Sequence, residues 1–349
     1  MNRTKPDTKH SKAVWSVVFI IAAAATIWAV ARQSSGFSPG NIKSFFSTAS
    51  PVWIAASAGC MLIYIISEGE ALRCICKCLG YRISSADGFI YSAADIYFSA
   101  ITPSASGGQP MCAWFMAKDR IPAGVITAAL IFNLVMYTLS IIVIGLIAFM
   151  IYPAVFCVFN NISKLFIGFG IIAQIALAVF FVMLLISRHI IRDILRKLLH
   201  FLCRIHVLKD EDSKQEKLEL YLESYRSCAD ILKGKGRMML KVFILNFVQR
   251  AASVTVTLCT FLAFGGNNGL SMKIWSVQSC VVIGANCIPV PGGMGIFDYI
   301  MLDGFNSFMP AADAAGLELI SRSISFYCCI LLCGAAVLIK YITIRKDRL

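Results

Sequence analysis

The stretch from Gly124 to Tyr152 runs for 29 residues, between Pro122 and Pro153, without one charged side chain. A helix rises about 1.5 Å per residue and the hydrocarbon core of a bilayer is about 30 Å thick, so such a run crosses a membrane with tilt to spare. Inside lipid the backbone must satisfy its own hydrogen bonds, which makes the run a helix. The same length argument marks Ala13 to Ala31, a shorter stretch Pro51 to Ser67, Leu165 to Ser187, Val242 to Phe264 and Ser323 to Ile339. Ala13 to Ala31 lies between Lys12 and Arg32, is too long for a signal-peptide core and lacks a small-residue cleavage site. Six spans are therefore predicted.

Composition agrees, with 58% hydrophobic and 15% charged residues, where soluble domains carry about a quarter charged. The net charge of +13 is read as cytoplasmic loops and anionic-lipid contact, not nucleic-acid binding. Of the 14 cysteines most fall in apolar runs, where Cys is a small hydrophobe. Cys74, Cys76 and Cys78 form C-x-C-x-C with no nearby His, which does not match structural zinc spacing. No metal and no other cofactor is expected.

Two apolar regions do not fit simple spans. Ala86 to Ala117 is interrupted by TPSASGGQP, and Ile274 to Met309 by IPVPGGMG. Their flanks are too short for two full crossings, so each is predicted to be a re-entrant helical hairpin, whose broken tip must be covered by protein or line a cavity.

Charge placement orients the chain. With the N-terminus inside, segments 1–12, 68–123, 188–241 and 340–349 hold 4, 5, 13 and 4 Lys or Arg, while the outer segments hold Arg32, Lys43, Lys164 and Lys273 alone. The positive-inside rule then puts both termini in the cytoplasm of a multi-pass cell-membrane protein. Segment 188–241 alternates basic and acidic residues and reads as an amphipathic helix pair on anionic headgroups.

The order span, span, hairpin, span occurs twice, first over 13–152 (hairpin about 86–117) and again over 165–345 (hairpin about 274–309). The second copy starts from the other side. The predicted fold is thus an all-α integral membrane protein of six spans plus two re-entrant helical hairpins arranged as an inverted repeat. Interrupted segments at matching places of two inverted halves point to a transport site near the midplane. The sequence has no G-x-S-x-G, H-E-x-x-H or P-loop motif, and His10, His189, His200 and His206 all fall in predicted cytoplasmic segments.

The motifs YFSAITPSASGGQP (Tyr97 to Pro110) and PVPGGMGIFDY (Pro289 to Tyr299) resemble the paired signatures of the lysylphosphatidylglycerol synthase transmembrane family, the flippase-like membrane region of the multiple peptide resistance factor. Nine consecutive positions from Thr102 match, and the order of spans extends the resemblance over nearly the whole chain. Asp298 departs from the Glu usual in that pattern but keeps the carboxylate. Full-length synthases of the family add a soluble domain that moves lysine from lysyl-tRNA to phosphatidylglycerol. Here the chain stops ten residues after the sixth span, so translocation without catalysis is expected. The resemblance implies a polar-headed lipid as cargo, such as an aminoacylated phospholipid, a glycolipid or a polyprenyl-linked carrier, in a setting of lipid metabolism and antibiotic resistance. A lysyltransferase-type lipid modification and secondary transport of a small soluble solute stay open beside it. The partners expected are the phospholipid substrate and anionic headgroups at the cytoplasmic face, with a second copy or a separate lipid-modifying enzyme compatible with the sequence.

Headgroup passage needs a polar lining that replaces water. In the first hairpin Pro103 breaks the helix, Gly107 and Gly108 admit a phosphate to backbone N–H groups, and Ser104, Ser106 and Gln109 add donors. The competing reading is that these residues serve the turn alone. Pro291, Gly292 and Gly293 take the corresponding part in the second hairpin. An ionisable group within a span costs about 2.5–3.5 kcal/mol on insertion scales, so Arg250 in span five is a candidate phosphate contact or partner of a hairpin carboxylate. Asp95 and Asp298 are the hairpin acids assigned to gating or charge pairing. Glu68, Glu70 and Arg73 are read as interfacial, with Glu70 as a gate residue, and Arg322 beside Glu318 as an interfacial anchor.

Overall fold

The computed structural model describes residues 49–102, 106–187, 192, 211–286 and 295–346. The first predicted span, Ala13 to Ala31, lies outside the described residues, as does most of 188–210. Within those described, all regular structure is helical, and five stretches are long and apolar enough to cross a membrane. The chain is an all-α, multi-pass membrane protein.

Helix α1 (Pro51–Cys78) begins at a proline whose missing N–H falls where a helix has no acceptor to offer. The predicted end at Ser67 is eleven residues early. Hydropathy registers Glu68, Glu70 and Arg73 as a boundary, but both residue types are good helix formers. Glu70 and Arg73 also bridge one turn apart at 2.6 Å. The helix continues to Cys78, and Glu68 is 6% exposed within it.

The first hairpin is α2 (Ser85–Ile101) and α3 (Gly108–Lys118). Ser84 caps α2 by accepting from the Asp87 N–H at 3.0 Å and returns a 2.7 Å hydrogen bond to the Asp87 carboxylate. At the tip Thr102 Oγ1 donates to the Phe98 carbonyl at 2.6 Å and accepts from the Gly107 N–H at 2.8 Å. Arg120, at φ 62°, turns the chain out of α3, with the Ile121 N–H reaching back to the Met116 carbonyl. Helix α4 (Ala123–Ile151) then crosses, a short 3₁₀ turn follows, and α5 (Asn161–Ile186) returns under an Asn160 cap. Half of the α5 residues are exposed, Leu165, Phe169, Ile172 and Val179 among them, as expected of a helix solvated by acyl chains.

Helix α6 (Glu211–Lys233) belongs to the predicted amphipathic segment and leans on α4, where Tyr221 donates to Thr127 at 2.6 Å. Helix α7 (Gly236–Ala263) crosses next. The second hairpin is α8 (Ser271–Asn286) and α9 (Ile296–Asn306). Helix α10 (Ala311–Arg322), a π-helical turn at Ser323–Cys328 and α11 (Cys329–Lys346) complete the chain as one continuous candidate span, longer at both ends than the predicted Ser323 to Ile339.

Packing sets the positions of the hairpins. Helices α1 and α7 form the most extensive pair, linked by Ser57, whose hydroxyl donates to the Val256 carbonyl at 3.1 Å. Helix α2 packs on α11, and α8 packs on α4 and α5. The first hairpin shares a core with the start of α4, the end of α5 and α6. The second shares one with the 3₁₀ turn after α4, the start of α5 and α10. The hairpins therefore sit toward opposite ends of α4 and α5. Two glycines let α1 and α2 meet backbone to backbone, since a Cβ on Gly69 would stand 2.5 Å from the Gly88 carbonyl oxygen. Gly170 meets the Ile283 carbonyl of α8 in the same manner.

Candidate functional site

The polar side chains of these apolar helices converge between α1, the first hairpin, α4 and α7. On α1, Tyr64 and Glu68 are one turn apart and share a face. Glu68 Oε2 accepts from Ser92 of α2 at 3.0 Å and from Gln249 Nε2 of α7 at 3.0 Å. The Asp95 carboxyl, one turn beyond Ser92, meets the Glu68 carboxyl. Asp95 also accepts from Gln109 Nε2 of α3 at 2.9 Å and from Ser99 at 3.5 Å. Two carboxyl groups from different elements thus share one polar cage.

Arg250 approaches from α7. Its guanidinium donates to Tyr64 Oη at 2.8 Å and lies over two rings, 4.8 Å from the centroid of Tyr64 and 4.4 Å from that of Tyr137 on α4. A planar guanidinium between aromatic faces keeps its charge and its outward N–H groups. Its Nε is buried with no hydrogen-bond partner among the described residues, and neither Glu68 nor Asp95 comes within 4 Å of the group. The network continues outward, with Tyr137 donating to Asn286 at 2.9 Å at the end of α8 and Asn286 donating to Gln174 of α5 at 3.3 Å. One turn before Arg250, Asn246 donates to Asn133 of α4 at 3.0 Å. Three side-chain carbonyl oxygens around the cage, Gln109 Oε1, Gln249 Oε1 and Asn246 Oδ1, are likewise buried without a partner among the described residues. One buried donor and three buried acceptors are thus left unmatched in one place among the described residues.

Of the predicted site residues, Asp95, Gln109 and Arg250 are brought together here. Pro103, Ser104, Pro291, Gly292 and Gly293 lie outside the described residues. Ser106 is exposed at the tip. The Gly107 N–H is spent on Thr102, and Gly108 is packed so closely that a Cβ would overlap Asp95 Oδ1 and Ser99 Oγ. The described contacts of both glycines are therefore with the hairpin itself, the turn-and-packing role set beside phosphate approach in the sequence. Glu70 faces away from the cage and pairs with Arg73. Glu68, read as interfacial, is instead buried and joins the cage. It was missed because a carboxylate near the end of an apolar run reads as a boundary. Its spacing from Tyr64, and the Asn246–Gln249–Arg250 run on α7, carried the signal.

A second charged group lies at the other hairpin. Asp298 Oδ2 accepts from the Gly295 N–H at 3.0 Å and so caps α9, where Gly295 takes φ 81°. Asp298 Oδ1 pairs with Arg322 Nε at 3.0 Å, and the Glu318 carboxyl also reaches Asp298. Arg322 is 7% exposed and lies over Phe297 at 4.5 Å and Phe326 at 4.8 Å. It is thus a buried ion-pair partner, not the interfacial anchor expected. Among the described residues no cluster of three His, Cys, Asp or Glu side chains is gathered for a metal ion. On α1, Cys74 and Cys78 lie one turn apart on one face, and Cys76 points to the opposite side.

Comparison with curated proteins gives no match. A family model, described as the lysylphosphatidylglycerol synthase TM region, matches residues 14–333, which include both hairpins and every residue of the cage. With that match over most of its length, the chain belongs to the lysylphosphatidylglycerol synthase transmembrane-region family.

Proposed function

We propose that this chain translocates a polar-headed lipid across the cell membrane, with the cage around Arg250 receiving the headgroup while the acyl chains stay in lipid. The observation that carries the reading is the pairing of unmatched groups. The free Nε of Arg250 suits a phosphate oxygen, and the unpartnered amide oxygens with the carboxyl pair suit an ammonium. A phosphate and an amine on one headgroup describe an aminoacylated or amine-bearing phospholipid, the class to which the family's printed name also refers.

The inverted repeat belongs to the same proposal. It is supported by the placement of the hairpins toward opposite ends of α4 and α5 and by reciprocal packing of α2 on α11 and α8 on α4. The charge distribution supports cytoplasmic termini, and segment 188–241 on anionic headgroups. A second copy, or a separate enzyme that makes the cargo, is the partner this reading accommodates.

The test is reconstitution of the full chain into liposomes containing acyl-labelled fluorescent phosphatidylglycerol or phosphatidylethanolamine, with leaflet movement read by quenching from outside. Loss of one charge-assisted hydrogen bond is worth about 1.5–3 kcal/mol, so Arg250→Gln should slow movement about 10- to 100-fold. Unchanged movement in Arg250→Gln refutes the site. Lysyl transfer from charged tRNA by the purified chain would favour lipid modification instead, and uptake of a soluble solute without lipid movement would favour the third reading.

A further inference from the structure

The two hairpin aspartates sit in different electrostatic company. Asp298 has an arginine nitrogen 3.0 Å away and a backbone N–H cap. Asp95 and Glu68 have each other, neutral donors from Ser92, Ser99, Gln109 and Gln249, and no cation within 4 Å among the described residues. Two neighbouring carboxyl groups repel strongly in a low-dielectric site when both are ionised, and a proton held by one of them relieves that repulsion. At the second hairpin Arg322 bridges directly to Asp298 beside Glu318, whereas at the first Arg250 stays beyond 4 Å of Glu68 and Asp95.

We propose that the Glu68–Asp95 carboxyl pair is an exchangeable proton site that couples headgroup movement to the transmembrane proton gradient. This rests on the translocation reading above. Every element around the pair supplies a group that faces it. Tyr64 lies on α1, Cys112 on α3, Tyr137 on α4, Arg250 on α7 and Cys333 on α11. Among these Arg250 carries a fixed charge, and the tyrosine rings hold it in place. Gln249, 1% exposed, donates to Glu68 while its own Oε1 is buried without a partner among the described residues, so an unmatched acceptor lies next to the pair. Glu68 is buried, whereas Asp95 is partly exposed, and the proton exchanges from the Asp95 side. When an ammonium headgroup arrives, it supplies the positive charge that the proton supplied, and one proton leaves the pair for water. Departure of the headgroup restores it, so the site keeps one compensating charge throughout.

The experiment uses the full chain in proteoliposomes with acyl-labelled fluorescent phosphatidylethanolamine. Movement is measured with and without an imposed pH gradient, and separately with a sodium gradient. A parallel infrared pH-difference spectrum reads the protonated-carboxyl carbonyl band. The wild-type chain should move lipid at least about 5-fold faster when the gradient favours proton exchange. In Glu68→Gln and Asp95→Asn the ratio should fall to about 1 whatever the absolute rate, and the infrared band should be lost. Asp230→Asn, on the exposed face of α6, should keep both. Movement that ignores the pH gradient, or follows sodium instead, overturns the coupling and leaves translocation standing. No lipid movement at all refutes translocation, and a band unchanged in both variants refutes the proton site itself.

Discussion

Gly108→Ala distinguishes a glycine that serves the hairpin's own packing from one that serves only a ligand. Gly108 opens α3 against α2, and its missing Cβ would stand 2.5 Å from the Asp95 carbonyl oxygen, where ordinary contact begins at 3.4 Å. Backbone must therefore retreat by about 0.9 Å, and its neighbours Asp95 Oδ1 and Ser99 Oγ must give way with it. Overpacking of this kind costs about 1–3 kcal/mol. As the first residue of the helix, position 108 gains little from alanine's propensity. For a chain of this size each kcal/mol moves the midpoint by about 2–4 °C, so Tm in detergent should fall by about 2–12 °C. Gly59→Ala, mid-helix on α1 with nothing within 4 Å of its Cβ, is the matched control and should hold or raise Tm. Tryptophan-fluorescence melts of both variants, with the liposome assay alongside, read the difference. If Gly108→Ala melts with Gly59→Ala while losing transport, the glycine serves ligand approach alone and the packing argument is wrong.

Further outcomes follow from the same geometry. Arg250→Lys keeps the charge but loses the planar stack on Tyr64 and Tyr137, and should slow lipid movement nearly as far as Arg250→Gln. Arg322→Gln strips Asp298 of its 3.0 Å partner in a buried setting and should destabilise the second hairpin by about 3–5 kcal/mol, read as proteolysis within α8 and α9. Lys340 pairs with Asp87 at 2.7 Å, and although partial burial pushes the Asp87 carboxyl up, the hydrogen bonds from Lys340 and Ser84 outweigh it and hold the group below its usual value. Stability from this pair is therefore present above the unfolded value of about 4 and lost as pH falls through the lowered one. Asp87→Asn should cost no more than about 1 kcal/mol at pH 7, and its Tm deficit should close in strong acid.

Five of the predicted spans were legible because hydrocarbon thickness imposes a length, and the helix breaks between α2 and α3 and between α8 and α9 because Pro-Gly runs interrupt it. Element ends were less so. Hydropathy placed the end of α1 at Ser67 and the start of the last span at Ser323, whereas side-chain partners for Glu68 and Arg322 let helix continue through them. Arg250 stood out as an isolated charge in an apolar run. Tyr64, Tyr137 and Asn133 did not, since aromatic and amide residues within a span equally fit interfaces or packing. Their roles depend on which helices become neighbours, and α1 meets α7 across nearly two hundred residues of chain, a relation that local periodicity does not encode.

The contact of Gly69 with Gly88 also decides what can move. Where two backbones touch with no side chain between them, sliding by one residue would set Glu68 or Glu70 against Gly88, and a Cβ has no room there. Helix α1 and the first hairpin are keyed together, and the long seam of α1 with α7 ties both to the middle of the molecule. The hairpin helix that carries Asp95 is therefore packed as part of the frame, and a shift of α2 must carry α1 with it.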